Sequence, residues 1–176
     1  MNGKRFALFR KEVIMSQIKF GWSEKKLLPQ GKKVNLAGQF YERVTDVVED
    51  EITVTALAME CGSDAAIFCG CDLVSTGHML LDTVREKLKA RPDLPAEKVI
   101  VSAIHTHTAP GYARRSDSIK GKGRGTLDVL TELLPHIKYE PLAKYEGDDL
   151  FDGEEAHDFI ADRIADAAIE AWDNRK

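Results

Sequence analysis

The stretch Val99-Ile100-Val101-Ser102-Ala103-Ile104-His105-Thr106-His107-Thr108-Ala109-Pro110-Gly111 decides the fold. Its first six residues are apolar and rich in β-branched side chains, the pattern of a buried strand. The Pro-Gly pair that closes it marks a turn. Two histidines at i and i+2 therefore stand where a core strand leaves its sheet. Alternate residues on an extended backbone point the same way. If that geometry persists past Ile104, His105 and His107 face one site. Neutral imidazoles in such a pair suit a divalent metal, and they suit equally a turn that they simply hydrogen-bond.

Upstream, Ile52–Glu60 and Ala65–Cys71 are two further apolar runs separated by the turn signal Cys61-Gly62-Ser63-Asp64. They predict a hairpin. Leu80, Leu81, Val84 and Leu88 then recur at helical spacing, with Thr76 or Ser75 available as a cap and Pro92 and Pro95 as stops. Strand, helix and strand within about 40 residues form a βαβ unit. Its two strands are parallel, so Asp72 leaves the sheet at the same edge as His105. Carboxyl ends of such strands are where sites collect. Asp72, His105 and His107 are thus the candidate catalytic and metal-binding residues, although Asp72 can equally serve as a helix-entry cap.

Further elements follow from pattern. Ile18–Gly21 reads as a short strand and Val34–Tyr41 as an edge strand. Arg114–Gly125, with five basic residues to one acid, reads as a lid over a polar substrate or as a solvated loop. It has no phosphate-loop order. Thr126–Leu134 is a weak helix. The Glu154–Trp172 segment is the strongest one, with Phe159, Ile160, Ile164, Ala167, Ala168 and Ala171 on one face. His157, in its first turn, and His136 read as surface residues.

Composition narrows the class. The 176 residues are 43% hydrophobic and 31% charged, ordinary for one globular domain. A net charge of −4 argues against a general nucleic-acid binder. No stretch has the length and apolarity of a membrane span. Cys61, Cys69 and Cys71 show no Cys-x-x-Cys spacing and read as reduced thiols, which places the protein in the cytoplasm as an expectation. Residues 1–15 are basic, lack a signal-peptide core and read as a disordered extension. Residues 16–176 read as a single α/β domain, a mixed sheet with a βαβ unit and helices packed on it.

The segment from Val101 to Tyr112 resembles the Ser-Ala-Thr-His-Thr-His-Ser-Gly-Pro-Gly-Gly-Tyr motif of neutral (non-lysosomal) ceramidases and their bacterial relatives. Thr108-Ala109 replaces Ser-Gly, and one glycine before Tyr112 is missing. The likeness extends over roughly residues 34–175 and corresponds to the N-terminal half of the catalytic domain. It implies a zinc-dependent amidase acting on the N-acyl bond of a sphingolipid-like substrate. By that likeness His105 is a zinc ligand and His107 lies at the substrate or shares the metal. The family's other ligands and its catalytic serine come later in the chain, so the resemblance implies a portion inactive alone. Two other readings stand beside it. One is a non-catalytic domain acting through self-association or a partner. The other is an unrelated metal hydrolase whose site Asp72 completes.

Overall fold

The computed structural model of the protein describes residues 17–38, 43–112, 132–134, 136, 145 and 147–176. The expected N-terminal extension, the basic loop 113–125 and most of the helix expected at 126–134 lie outside these residues. Seven strands and two α-helices are described: β1 (Ile18–Lys26), β2 (Lys33–Asn35), β3 (Val44–Thr45), β4 (Thr53–Cys61), β5 (Asp64–Cys71), α1 (His78–Leu88), β6 (Val99–Ala103), β7 (Leu150–Phe151) and α2 (Gly153–Asp173). A 3₁₀ turn at Ala96–Lys98 leads into β6.

The main sheet runs β1-β4-β5-β6. β4 and β5 are the expected antiparallel hairpin, with Cys61 paired to Asp64 across a two-residue loop. β5 and β6 are parallel neighbours, Cys71 standing beside Ala103. The βαβ reading therefore holds, and Asp72 and Ile104 leave the sheet side by side.

One face of this sheet carries the core. Val54, Ala56, Ala58, Ile67, Cys69, Cys71 and Val99 are fully buried at alternate positions, the signature of a sheet covered on that side. Both helices pack together there. Leu80, Val84 and Leu88 of α1 and Ile160, Ile164 and the alanines of α2 meet the strand residues in one cluster. The alanine-rich face of α2 lets helix and sheet approach closely. At Gly21 the approach is tightest: a Cβ added there would lie 2.2 Å from the Ala171 carbonyl oxygen. Nearby, the buried Ser23 hydroxyl donates to the Ala167 carbonyl at 2.7 Å. The Lys176 and Phe20 backbones exchange two hydrogen bonds of 3.1 Å, which tie the end of the chain to the outer edge of β1.

Several local expectations are corrected. The first strand reaches Lys26 instead of ending at Gly21 because it pairs with β4 along nine residues. The predicted edge strand at Val34 is only Lys33–Asn35, and it lies in the middle of a second sheet, ordered β3-β2-β7. Gly77, not Thr76 or Ser75, stands at the N-cap of α1, and no side chain caps it. The Thr76 hydroxyl instead donates to the Val101 carbonyl at 3.2 Å. His157 is buried, at 1% exposure, because the first turn of α2 packs under α1, where the Thr83 hydroxyl meets its Nε2 at 2.9 Å. No helix of the described residues is long and apolar enough to cross a membrane.

Candidate functional site

The His-x-His segment begins one residue beyond β6. Ile104 N–H still bonds Cys71 O (3.1 Å), and Thr106 N–H bonds Leu73 O (3.2 Å), so the segment stays laced to the exit of β5. Between them the backbone departs from extended geometry. His105 has φ +65°, the one positive φ at a non-glycine residue among those described. Histidine tolerates this left-handed region better than branched residues do, but the conformation is uncommon and recurs at functional sites. The two imidazoles thus converge through a left-handed turn, not through the persistent extended strand that the spacing suggested.

Their convergence is close. The Nε2 atoms of His105 and His107 lie 3.3 Å apart, with the rings edge to face at a centroid separation of 4.9 Å. His105 Nδ1 is 2.5 Å from the Val74 carbonyl oxygen. A carbonyl can only accept, so Nδ1 carries the proton, and in the neutral ring Nε2 holds the free lone pair. The His107 carbonyl accepts from Arg43 Nη2 at 2.5 Å. Gly38, at φ +84°, lies so close under the His107 ring that a Cβ there would be 2.7 Å from Nδ1. The segment beyond is pinned to β2: Ala37 N–H bonds Ala109 O at 2.8 Å, and Gly111 N–H bonds Asn35 O at 3.0 Å. Tyr112 closes it by donating its hydroxyl to Ser75 O at 2.7 Å, and burial pushes its phenol pKa up.

Asp72 shares the edge with the histidines, but its carboxylate leans the other way. Its Oδ2 accepts from the Thr53 N–H (2.9 Å) and hydroxyl (3.1 Å), on the β4 side of β5 and one strand further from β6. Among the described residues no three His, Cys, Asp or Glu side chains are grouped to hold a metal ion. A cleft of about 660 Å³ lies alongside, and Asp72, Ile104, Thr106 and Thr108 contribute to its wall. The histidines occupy the alternate positions of the segment and do not line it. Spacing alone could flag His105 and His107, and Tyr112 enters only through the motif that carries the resemblance. Val74, Arg43 and Gly38 become visible only through the fold, because a backbone carbonyl, a distant arginine and a loop glycine carry no motif.

The pair fits part of a zinc site. Two ligand nitrogens at zinc distances of about 2.0–2.1 Å, on neighbouring vertices of a tetrahedron, are separated by about 3.3 Å. The two Nε2 atoms lie as far apart, a separation that a hydrogen bond from His107 to His105 gives as well, and the His105 Nδ1 contact leaves its Nε2 as the acceptor. Two ligands fall short of the three or four that a catalytic or structural zinc requires.

Comparison with solved structures gives a consistent picture of the fold. The chain is similar to the crystal structure of neutral ceramidase from Pseudomonas aeruginosa, with a TM-score of 0.63 and 19% identity. The aligned region covers 92% of this chain and 22% of that one. A ceramidase structure complexed with C2 aligns with a TM-score of 0.58, 17% identity and the same coverage. The chain therefore has the fold of a ceramidase region and spans about a fifth of the length of those proteins. No protein-family profile and no curated protein matches it.

Proposed function

We propose that this chain is the His-x-His portion of a zinc-dependent amide hydrolase of the neutral ceramidase type, acting in the cytoplasm on the N-acyl bond of a sphingolipid-like substrate. The observation that carries this reading is the 3.3 Å separation of the His105 and His107 Nε2 atoms. The ceramidase-like fold supports it. His105 is the primary metal ligand, and His107 either shares the metal or bonds the substrate carbonyl. Zinc in such a place supplies Lewis acidity toward the amide carbonyl and makes water a stronger acid. The chain's own residues do the positioning. Val74 O fixes the His105 proton on Nδ1, Arg43 holds the His107 backbone, and Asp72 secures the strand end beside them. A positioned nucleophile and further ligands are needed for turnover. In the family that the chain resembles these come later in the sequence, so the expectation is that the chain alone is inert.

The exposed apolar side chains of Trp22, Phe68 and Ile100 support a second reading, a non-catalytic domain that works by association. The test is an assay of the purified chain with a fluorogenic short-chain ceramide, with Zn²⁺ and with chelator. The expected result is no turnover above buffer. Turnover that disappears in His105→Ala would show a complete catalytic site within these residues.

A further inference from the structure

Both ends of the histidine segment are fastened to one short loop, the residues between β5 and α1. At the start of the segment His105 Nδ1–H donates to the Val74 carbonyl at 2.5 Å. At its end the Tyr112 hydroxyl donates to the next carbonyl, Ser75 O, at 2.7 Å. The Gly77 N–H acts on the same hydroxyl oxygen, so Tyr112 spans the loop as far as the start of α1. Firm anchors stand on either side. Leu73 O accepts from Thr106 N–H, and the Thr76 hydroxyl donates to Val101 O. Between these anchors the Val74 and Ser75 carbonyls each accept from a side chain of the histidine segment.

The Tyr112 ring is itself well fixed. It packs against the main core and also against the smaller cluster of Val34, Phe151 and Ala156. Its centroid lies 6.1 Å from that of the buried His157 ring. Burial pushes the phenol pKa up, so the hydroxyl keeps the proton that it donates.

We propose that Tyr112 is a positioning residue for the histidine pair: by holding Ser75 O it keeps the neighbouring Val74 carbonyl where it accepts from His105 Nδ1–H. The inference rests on the proposed zinc site for its purpose, since a metal would take the Nε2 lone pair that this tautomer leaves. The physical link is the backbone. Successive carbonyls on a tight loop share their torsions, and a Ser75 carbonyl released to water turns the Val74–Ser75 peptide with it. The partner of one imidazole nitrogen selects the state of the other. Tyr112 acts only through the loop and touches neither imidazole's Nε2.

Tyr112→Phe keeps the ring packing and removes the hydroxyl alone. Long-range ¹H–¹⁵N NMR of the full metal-free chain at pH about 8.5, where ordinary imidazoles are neutral, reads the ratio of Nδ1–H to Nε2–H tautomers at His105. The Nδ1–H form should dominate in the wild type. Tyr112→Phe should lower the ratio roughly twofold to tenfold, the range of one neutral hydrogen bond. Ser23→Ala is the control. It removes a buried bond to Ala167 O at the opposite edge strand and should lower stability with the ratio unchanged. Should Tyr112→Phe fail to fold, biosynthetic 3-fluorotyrosine, nearly isosteric and a stronger donor, should raise the ratio in the otherwise wild-type chain. A ratio unmoved by Tyr112→Phe in the folded chain, or by the fluorinated ring where that variant is unfolded, overturns the proposal. So does an equal fall in Ser23→Ala, which would make the role of Tyr112 one of stability alone. The measurement needs no metal and so stands apart from the zinc reading. A ratio that falls in Tyr112→Phe supports the positioning role even where added Zn²⁺ leaves both rings unmoved, a result that would count against the zinc site.

Discussion

His105 and His107 bring their Nε2 atoms to 3.3 Å, although His105 alone of the pair has a left-handed backbone. The turn is held from outside itself: Val74 O accepts from His105 Nδ1–H, Arg43 donates to the His107 carbonyl, and Gly38 leaves room for the His107 ring. Pre-organisation of this kind lowers the ordering cost of binding a ligand there.

Gly38 is the most direct handle on that support. Gly38→Ala places a methyl 2.7 Å from His107 Nδ1 at a φ of +84°. Backbone strain of this type costs about 1–3 kcal/mol. Denaturant unfolding should show a loss in that range, and the His107 ring resonances should move while those of His136 stay in place.

Asp72 separates structural from site roles. Asp72→Ala removes a carboxylate that accepts two hydrogen bonds from Thr53. Bonds to a charged acceptor contribute about 1.5–3 kcal/mol, so stability should fall by about 2 kcal/mol. Zn²⁺ affinity should be unchanged, because the carboxylate leans toward β4. A variant that keeps its stability and loses zinc affinity would place Asp72 at the metal.

The cysteines give a pH signature. Burial pushes the Cys69 thiol up to about 12 and raises Cys71 as well. A raised folded pKa means that the unfolded thiol ionises first. The stability each thiol contributes is complete below its unfolded pKa, about 8.5, and is lost as pH rises toward 12. Resistance to urea should therefore decline through that alkaline window. At pH 8 an aromatic disulfide reagent should label exposed Cys61 at once and reach the other two only after unfolding.

The hairpin and the βαβ unit were legible because long strands and an amphipathic helix carry clear periods. Ala65–Cys71 and Leu80–Leu88 could be placed from residue types alone. The second sheet was not legible, because Lys33–Asn35, Val44–Thr45 and Leu150–Phe151 are too short for any period to show. In the site, the histidine spacing was legible and the route by which the rings meet was not. No side-chain pattern announces a positive φ at a non-glycine residue, so whether the strand stays extended past Ile104 is left open by the sequence. His157 was misjudged for a related reason. Its position in the first turn of α2 suggests exposure, and only the packing of α1 against that turn buries it.

The claim that this edge is half of a zinc site is tested most directly by titrating Zn²⁺ into the full chain with ¹⁵N-labelled imidazoles and following each ring nitrogen by NMR. Two imidazoles without further ligands bind weakly compared with a closed site. The expected result is concerted movement of the His105 and His107 Nε2 signals at high zinc concentration. His78 and His136 should be unaffected, and the effect should vanish in His105→Ala. Stationary Nε2 signals at both histidines, or tight stoichiometric binding centred on other residues, would contradict the account.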